Sequence, residues 1–69
     1  MEVRSVVQGR VVDIVAAIGT SVEAGDDLVI VESMKMEVPI QAPQDGSVTE
    51  VRVGIGDAVE EGTVLVVLG

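Results

Sequence analysis

Lys35 is the only lysine in a chain of 69 residues, and it stands in the segment Glu32-Ser33-Met34-Lys35-Met36-Glu37. A lysine amine can be acylated to an amide, so this chain offers a modifying enzyme a single side-chain target. In water such an amine is protonated at neutral pH, and an enzyme must drive acyl transfer to it. Glu32 and Glu37 border the site with carboxylates that attract an ammonium and do nothing to activate it. A lone turn lysine more often serves as a solvated guard against aggregation. Here Met34 and Met36 flank it, where a turn ordinarily carries Gly, Asn or Asp. Unbranched thioether chains offer soft, adaptable apolar contact to a partner, or else they pack inward over the end of the core.

Other chemistry is excluded largely by inventory. With no Cys and no His, the chain has no disulfides, no thiolate zinc sites and no imidazole acid–base or triad catalysis. Its length allows one domain, residues 1–69, with a core too modest for a deep active site. The chain therefore reads as a substrate and not an enzyme, with no catalytic residue and no metal-ligand set. Gly54-Ile55-Gly56 resembles the start of a dinucleotide loop, but Val59 stands where the third glycine belongs and no helix follows. Asp26 and Asp27 lack the spaced oxygen ligands of a calcium loop.

The formal net charge of −8 repels phosphate backbones, and the absence of Phe, Tyr and Trp removes any stacking platform, so nucleic acid is not an expected partner. That acidity serves solubility or the steering of a partner. Met1-Glu2-Val3-Arg4 lacks a signal pattern, and no apolar run reaches the roughly 18 residues of a membrane span. A soluble cytoplasmic protein without a membrane partner is expected.

The elements that must position Lys35 are written twice. Gly9, Val11, Ile18, Gly19, Val22, Glu23, Gly25, Leu28 and Val29 recur as Gly46, Val48, Ile55, Gly56, Val59, Glu60, Gly62, Leu65 and Val66. The offset is constant at about 37 residues, with no gap. Val51, Val53 and Ile55 alternate with Glu50, Arg52 and Gly54, which predicts a strand with one wet face. Val11, Ile14, Val15 and Ile18 would also suit a helix, but the same helix in the second copy would put Arg52 on its apolar face, so both copies read as strands. Gly19, Gly25, Gly56 and Gly62, with Asp26, Asp27 and Asp57 nearby, predict turns needing positive φ. Thr20 to Glu23 imitates a helix cap but reads as a turn, since no helical run follows.

Leu28–Glu32 and Glu37–Gln41 read as strands, leaving Ser33 to Met36 as a tight hairpin turn. That puts Lys35 at an exposed tip, expected on or near the pseudo-two-fold axis. The predicted fold is all-β: a flattened barrel or sandwich of two antiparallel sheets with quasi-two-fold symmetry and about eight short strands.

In these features the chain resembles the biotinyl/lipoyl attachment-domain family, whose members carry a modified lysine at a hairpin tip between two quasi-symmetric halves. The likeness covers nearly the whole chain. Glu32-Ser33-Met34-Lys35-Met36 is close to the family's biotin signature Glu-Ala-Met-Lys-Met, and Gly46, Gly56-Asp57, Val59 and Gly62 agree with its second half. Ser33 departs from the usual alanine, and Val6 stands where a proline is common, whereas Pro43 keeps it in the second copy.

The resemblance implies biotin joined to Lys35 as an amide by a biotin protein ligase, from biotinyl-adenylate. Met34 and Met36 would be the flanking recognition residues, with Glu32, Ser33 and Glu37 beside them. It implies biotin carboxylase and carboxyltransferase partners, on other chains or on other parts of a longer parent. Val31-Glu32-Ser33 and Glu37-Val38-Pro39 are somewhat lipoyl-like, which leaves lipoate on Lys35 as the alternative cofactor. The family's lipoyl members usually carry Asp before the lysine and Ala or Val after it. A third reading is an unmodified β-sandwich interaction module that uses the Met-flanked hairpin as a docking knob.

Overall fold

β-Branched side chains fit a pleated, half-buried surface, and the Val-rich composition folds into strands with no helix. The computed structural model describes residues Met1–Gly69. The strands are β1 (Glu2–Arg4), β2 (Gly9–Ile14), β3 (Ser21–Val22), β4 (Asp27–Ser33), β5 (Met36–Gln41), β6 (Gly46–Val51), β7 (Ala58–Val59) and β8 (Val64–Leu68). They form two four-stranded antiparallel sheets in the orders β1-β8-β6-β3 and β5-β4-β2-β7. The repeat offset converts one order into the other, strand by strand. The sheets pack face to face over a core of Val, Leu, Ile and Ala, with Val11, Leu28, Val29, Val31, Leu65 and Val66 fully buried at its centre.

The two-fold relation extends to irregularities. A bulge lies between Val11 and Asp13 where β2 meets β4, and another at the equivalent place between Val48 and Glu50 where β6 meets β8. A bulge inserts a residue and shifts the in-out alternation of the strand. In β6 it turns Val48 inward, leaves Thr49 and Glu50 both exposed, and half-buries Val51. The predicted alternation holds at Val51 and Val53, both packed against the core between exposed Glu50 and Arg52, and fails at Ile55. The strand ends at Val51, Val53 is half-buried beyond it, and Ile55 is exposed in a turn. That turn is fixed by the positive φ of Gly56, whose N–H donates to the Val11 carbonyl at 2.7 Å, and by Asp57, whose carboxylate accepts from the Gly54 N–H at 2.8 Å.

Gly19, Gly25 and Gly62 also have the positive φ expected of them. Within the segment Thr20 to Glu23, read as a turn, Ser21 and Val22 form a short edge strand. Val22 is buried in the core, and Ser21 and Val22 pair with Ser47 and Gly46.

Lys35 does not lie on the pseudo-two-fold axis, contrary to expectation. A residue on such an axis coincides with its own equivalent, whereas the equivalent of the β4–β5 hairpin is the place where β8 and β1 meet. There Met1 and Leu68 exchange backbone hydrogen bonds just as Val31 pairs with Val38 beneath the Lys35 turn. The Gly69 N–H donates to Ser47 at 2.8 Å, beside the Val22–Gly46 pair. The turn after β3 is tied by the Gly25 N–H to Ala42 at the open end of the hairpin. Lys35 therefore sits the length of β4 away from Gly69, about 20 Å at the usual strand rise.

Candidate functional site

Alternating apolar residues carry β4 and β5 out from the core, and the register Val31↔Val38, Glu32↔Glu37, Ser33↔Met36 closes them to a loop of two residues, Met34 and Lys35. Both have positive φ, 52° and 65°. Such a pair of left-handed residues matches the right-handed twist of the flanking strands, which is why hairpins with two-residue loops favour it. For an L-residue with a long side chain this conformation costs about 1–2 kcal/mol. Asn-Gly would make the turn more easily than Met-Lys. The predicted turn of Ser33 to Met36 is thus tighter than expected, with its outer residues inside the strands.

Lys35 is exposed and has no salt-bridge partner. Met34 is 94% exposed and Met36 69%, so neither packs over the core. Ser33 is half-buried, and Glu32 and Glu37 are exposed and directly opposite each other. Like charges facing across strands are unfavourable. Arg10, which pairs with Glu32 from the other side, supplies a compensating charge in the same row. The predicted residues Glu32, Ser33, Met34, Lys35, Met36 and Glu37 therefore form one continuous tip.

The sequence reading missed Arg10 and the close packing at Gly9. Gly9 leaves no room for a β-carbon, which would overlap the Glu32 carbonyl oxygen, so β2 braces the base of the tip at close range. The available signal was its place at the head of the repeat.

The other cations are occupied elsewhere. Arg4 bonds Glu2 at 2.7 Å, and Arg52 reaches both Glu2 and Glu50 at about 3.3 Å and 3.2 Å. The hydrogen bond that Arg52 donates to the Glu50 carboxylate, then the charge of that carboxylate, holds the Arg52 guanidinium above its ordinary pKa. An open hollow of about 310 Å³ lies between β1 and β5, lined in part by Glu2, Arg4, Pro39 and Gln41. Its lining maps onto itself under the repeat offset, so it straddles the pseudo-two-fold axis. No concave surface encloses Lys35: the amine is presented outward, as suits an appended group and not a bound substrate.

Residues 1–68 match the family model described as "Biotin-requiring enzyme". The chain belongs to the biotin/lipoyl attachment-domain family. It is 37% identical to the biotinylated protein TB7.3 homolog of Mycobacterium leprae over 97% of this chain and 94% of that one. It is 43% identical to the dihydrolipoyllysine-residue acetyltransferase component of the pyruvate dehydrogenase complex of Cupriavidus necator, over 84% of this chain and 10% of that protein. Among solved structures, the urea carboxylase of Kluyveromyces lactis superposes with a TM-score of 0.96 at 38% identity, covering 100% of this chain and 6% of that one. The chain thus spans nearly all of one relative and only a small part of two large enzymes. The family's domains are carriers and not catalysts, and the all-β sandwich of two antiparallel sheets is their fold. No helix here is long and apolar enough to cross a membrane.

Proposed function

We propose that residues 1–69 form one biotin carrier domain, in which Lys35 is acylated by biotin and the loaded domain moves between biotin carboxylase and carboxyltransferase sites on partner subunits or domains. The observation that carries this reading is the lone lysine, held by a strained two-residue turn at the far end of the sandwich between two exposed methionines. The amine nitrogen attacks the carbonyl of biotinyl-adenylate in a biotin protein ligase, AMP leaves, and the proton lost from nitrogen passes to the ligase or to solvent. Met34 and Met36 supply the apolar contact, and Glu32, Ser33 and Glu37 complete the recognised tip. When bound, biotin supplies the group that accepts and releases a carboxyl unit. This chain supplies only position and mobility.

A flexible arm on a compact body confines that group to a small volume and raises its effective concentration at both enzyme sites. Activation of biotin as an adenylate consumes ATP, and a cytoplasmic location belongs to the same proposal. The likeness to a lipoyl-bearing transferase favours one second reading, lipoate on Lys35.

Intact-mass analysis of the protein from its native host, with the adduct mapped to a residue, tests both. Biotin on Lys35 is expected. Lipoate there would establish the second reading, and an unmodified chain would overturn both in favour of an interaction module.

A further inference from the structure

We propose that Met34 and Met36 are a reversible oxidation site that controls the acylation of Lys35. The inference rests on the reading of Lys35 as an acylated residue. The chain contains no Cys, His, Tyr or Trp, which leaves its three methionines as the side chains most readily oxidised by a peroxide. Two of the three immediately flank the only lysine. Their sulfurs are open to attack, since Met34 is 94% and Met36 69% exposed. Neither belongs to the core cluster, so oxidation removes no packing and leaves the sandwich intact. Met1, the third, lies with Gly69 at the opposite end and serves as a built-in control.

In the oxidation, a thioether lone pair attacks one oxygen of hydrogen peroxide and the O–O bond breaks. The departing hydroxide takes up the proton of the transferred oxygen. The sulfur loses two electrons to become a sulfoxide, and the peroxide is reduced to water. The sulfoxide is polar and chiral where the thioether was apolar and adaptable, and methionine sulfoxide reductases reverse the change. An enzyme that closes an apolar surface over the tip must then desolvate the S=O group without a partner for it. Loss of one such contact in a transition-state complex slows reaction by roughly tenfold or more.

The test uses the full unmodified chain. It is treated with hydrogen peroxide, freed of the oxidant, and mapped by mass spectrometry. Initial rates of biotinylation by a biotin protein ligase with ATP and biotin are then measured. We expect sulfoxide at Met34 and Met36 to lower the rate about tenfold or more with an unchanged melting temperature, and methionine sulfoxide reductases with dithiothreitol to restore it. Met34→Leu with Met36→Leu, which retains Met1, is expected to show the same rate before and after peroxide. An unchanged rate in the parent with both sulfoxides present overturns the inference and leaves the reading of Lys35 standing. Equal loss in the leucine variant also overturns it, because the effect then arises elsewhere. If neither a biotin ligase nor a lipoate ligase acylates the untreated chain, the reading of Lys35 falls and this inference falls with it.

Discussion

Gly9 is packed directly beneath the backbone of Glu32, with its α-carbon where no side chain fits. Its repeat equivalent, Gly46, is looser, since a β-carbon there would stand 3.0 Å from the Gly69 carbonyl oxygen. Gly9→Ala must push β2 from β4 just below the lysine turn, an overpacking that costs about 1–3 kcal/mol. Gly46→Ala should cost less, because a contact at 3.0 Å asks its neighbour to give by only a few tenths of an ångström. Urea melts of the two variants beside the parent check the order. Equal midpoints would mean that Gly9 is not a close-contact position.

The positive φ of both Met34 and Lys35 makes the turn a place where stability has been left unused. Met34→Asn retains the lysine and places there a residue that tolerates the left-handed region, so the variant should gain up to about 1 kcal/mol. Lys35→Gly should gain a similar amount through the second turn position. Both gains appear as higher urea midpoints with unchanged slopes. A loss in both would show that the loop does not adopt this conformation in solution.

The repeat made the two-sheet fold legible, because nine identities at one offset can be satisfied only by two copies of one unit burying their faces together. The tip was legible because a lone lysine between methionines in a short interval leaves few geometries. Two things were not. Bulges at Val11/Asp13 and Val48/Glu50 shift the phase of each strand by backbone geometry, and period-2 counting carried the strand past its end at Val51 to Ile55, which lies in the turn fixed by Gly56 and Asp57. Nor does pattern reveal close approach of backbones, so Gly9 was legible as a repeat position but not as a close contact.

The bulge has a measurable consequence. Val48 is 1% exposed and Val51 only half-buried. Val48→Asp buries an unpaired carboxylate and should unfold so small a domain, whose stability is only a few kcal/mol. Val51→Asp can lean its carboxylate toward water and should be milder. Circular dichroism melts that rank Val51→Asp as the worse substitution would contradict this register.

Lys35→Arg separates modification from folding. An exposed turn side chain contributes little to the core, so its melting temperature should match that of the parent within about a degree or two. Guanidinium does not replace the amine as an acyl acceptor, and streptavidin binding should vanish. Persistent streptavidin reactivity in this variant would place the cofactor elsewhere on the chain.

Cofactor choice is the property that the methionines are expected to govern. A ligase must close over the hairpin to bring an activated acyl group to Lys35, so the residues beside the lysine enter its surface and become natural specificity determinants. Met34 and Met36 present apolar, adaptable chains that are largely exposed. Truncating one such contact in a transition-state complex costs on the order of 1–3 kcal/mol, a rate loss of roughly ten- to a hundredfold. The resemblance to lipoyl members, with Asp before the lysine and Ala or Val after it, points to the exchange Met34→Asp with Met36→Ala. We expect this double variant to take biotin much more slowly and lipoate more readily, with a melting temperature within a few degrees of the parent because neither methionine is in the core. Initial rates with a biotin ligase and a lipoate ligase, parent beside variant, decide the matter. Undiminished biotinylation of the variant would mean that the geometry of the turn selects the cofactor, since the two-residue loop and its strand register are the features that the exchange leaves in place.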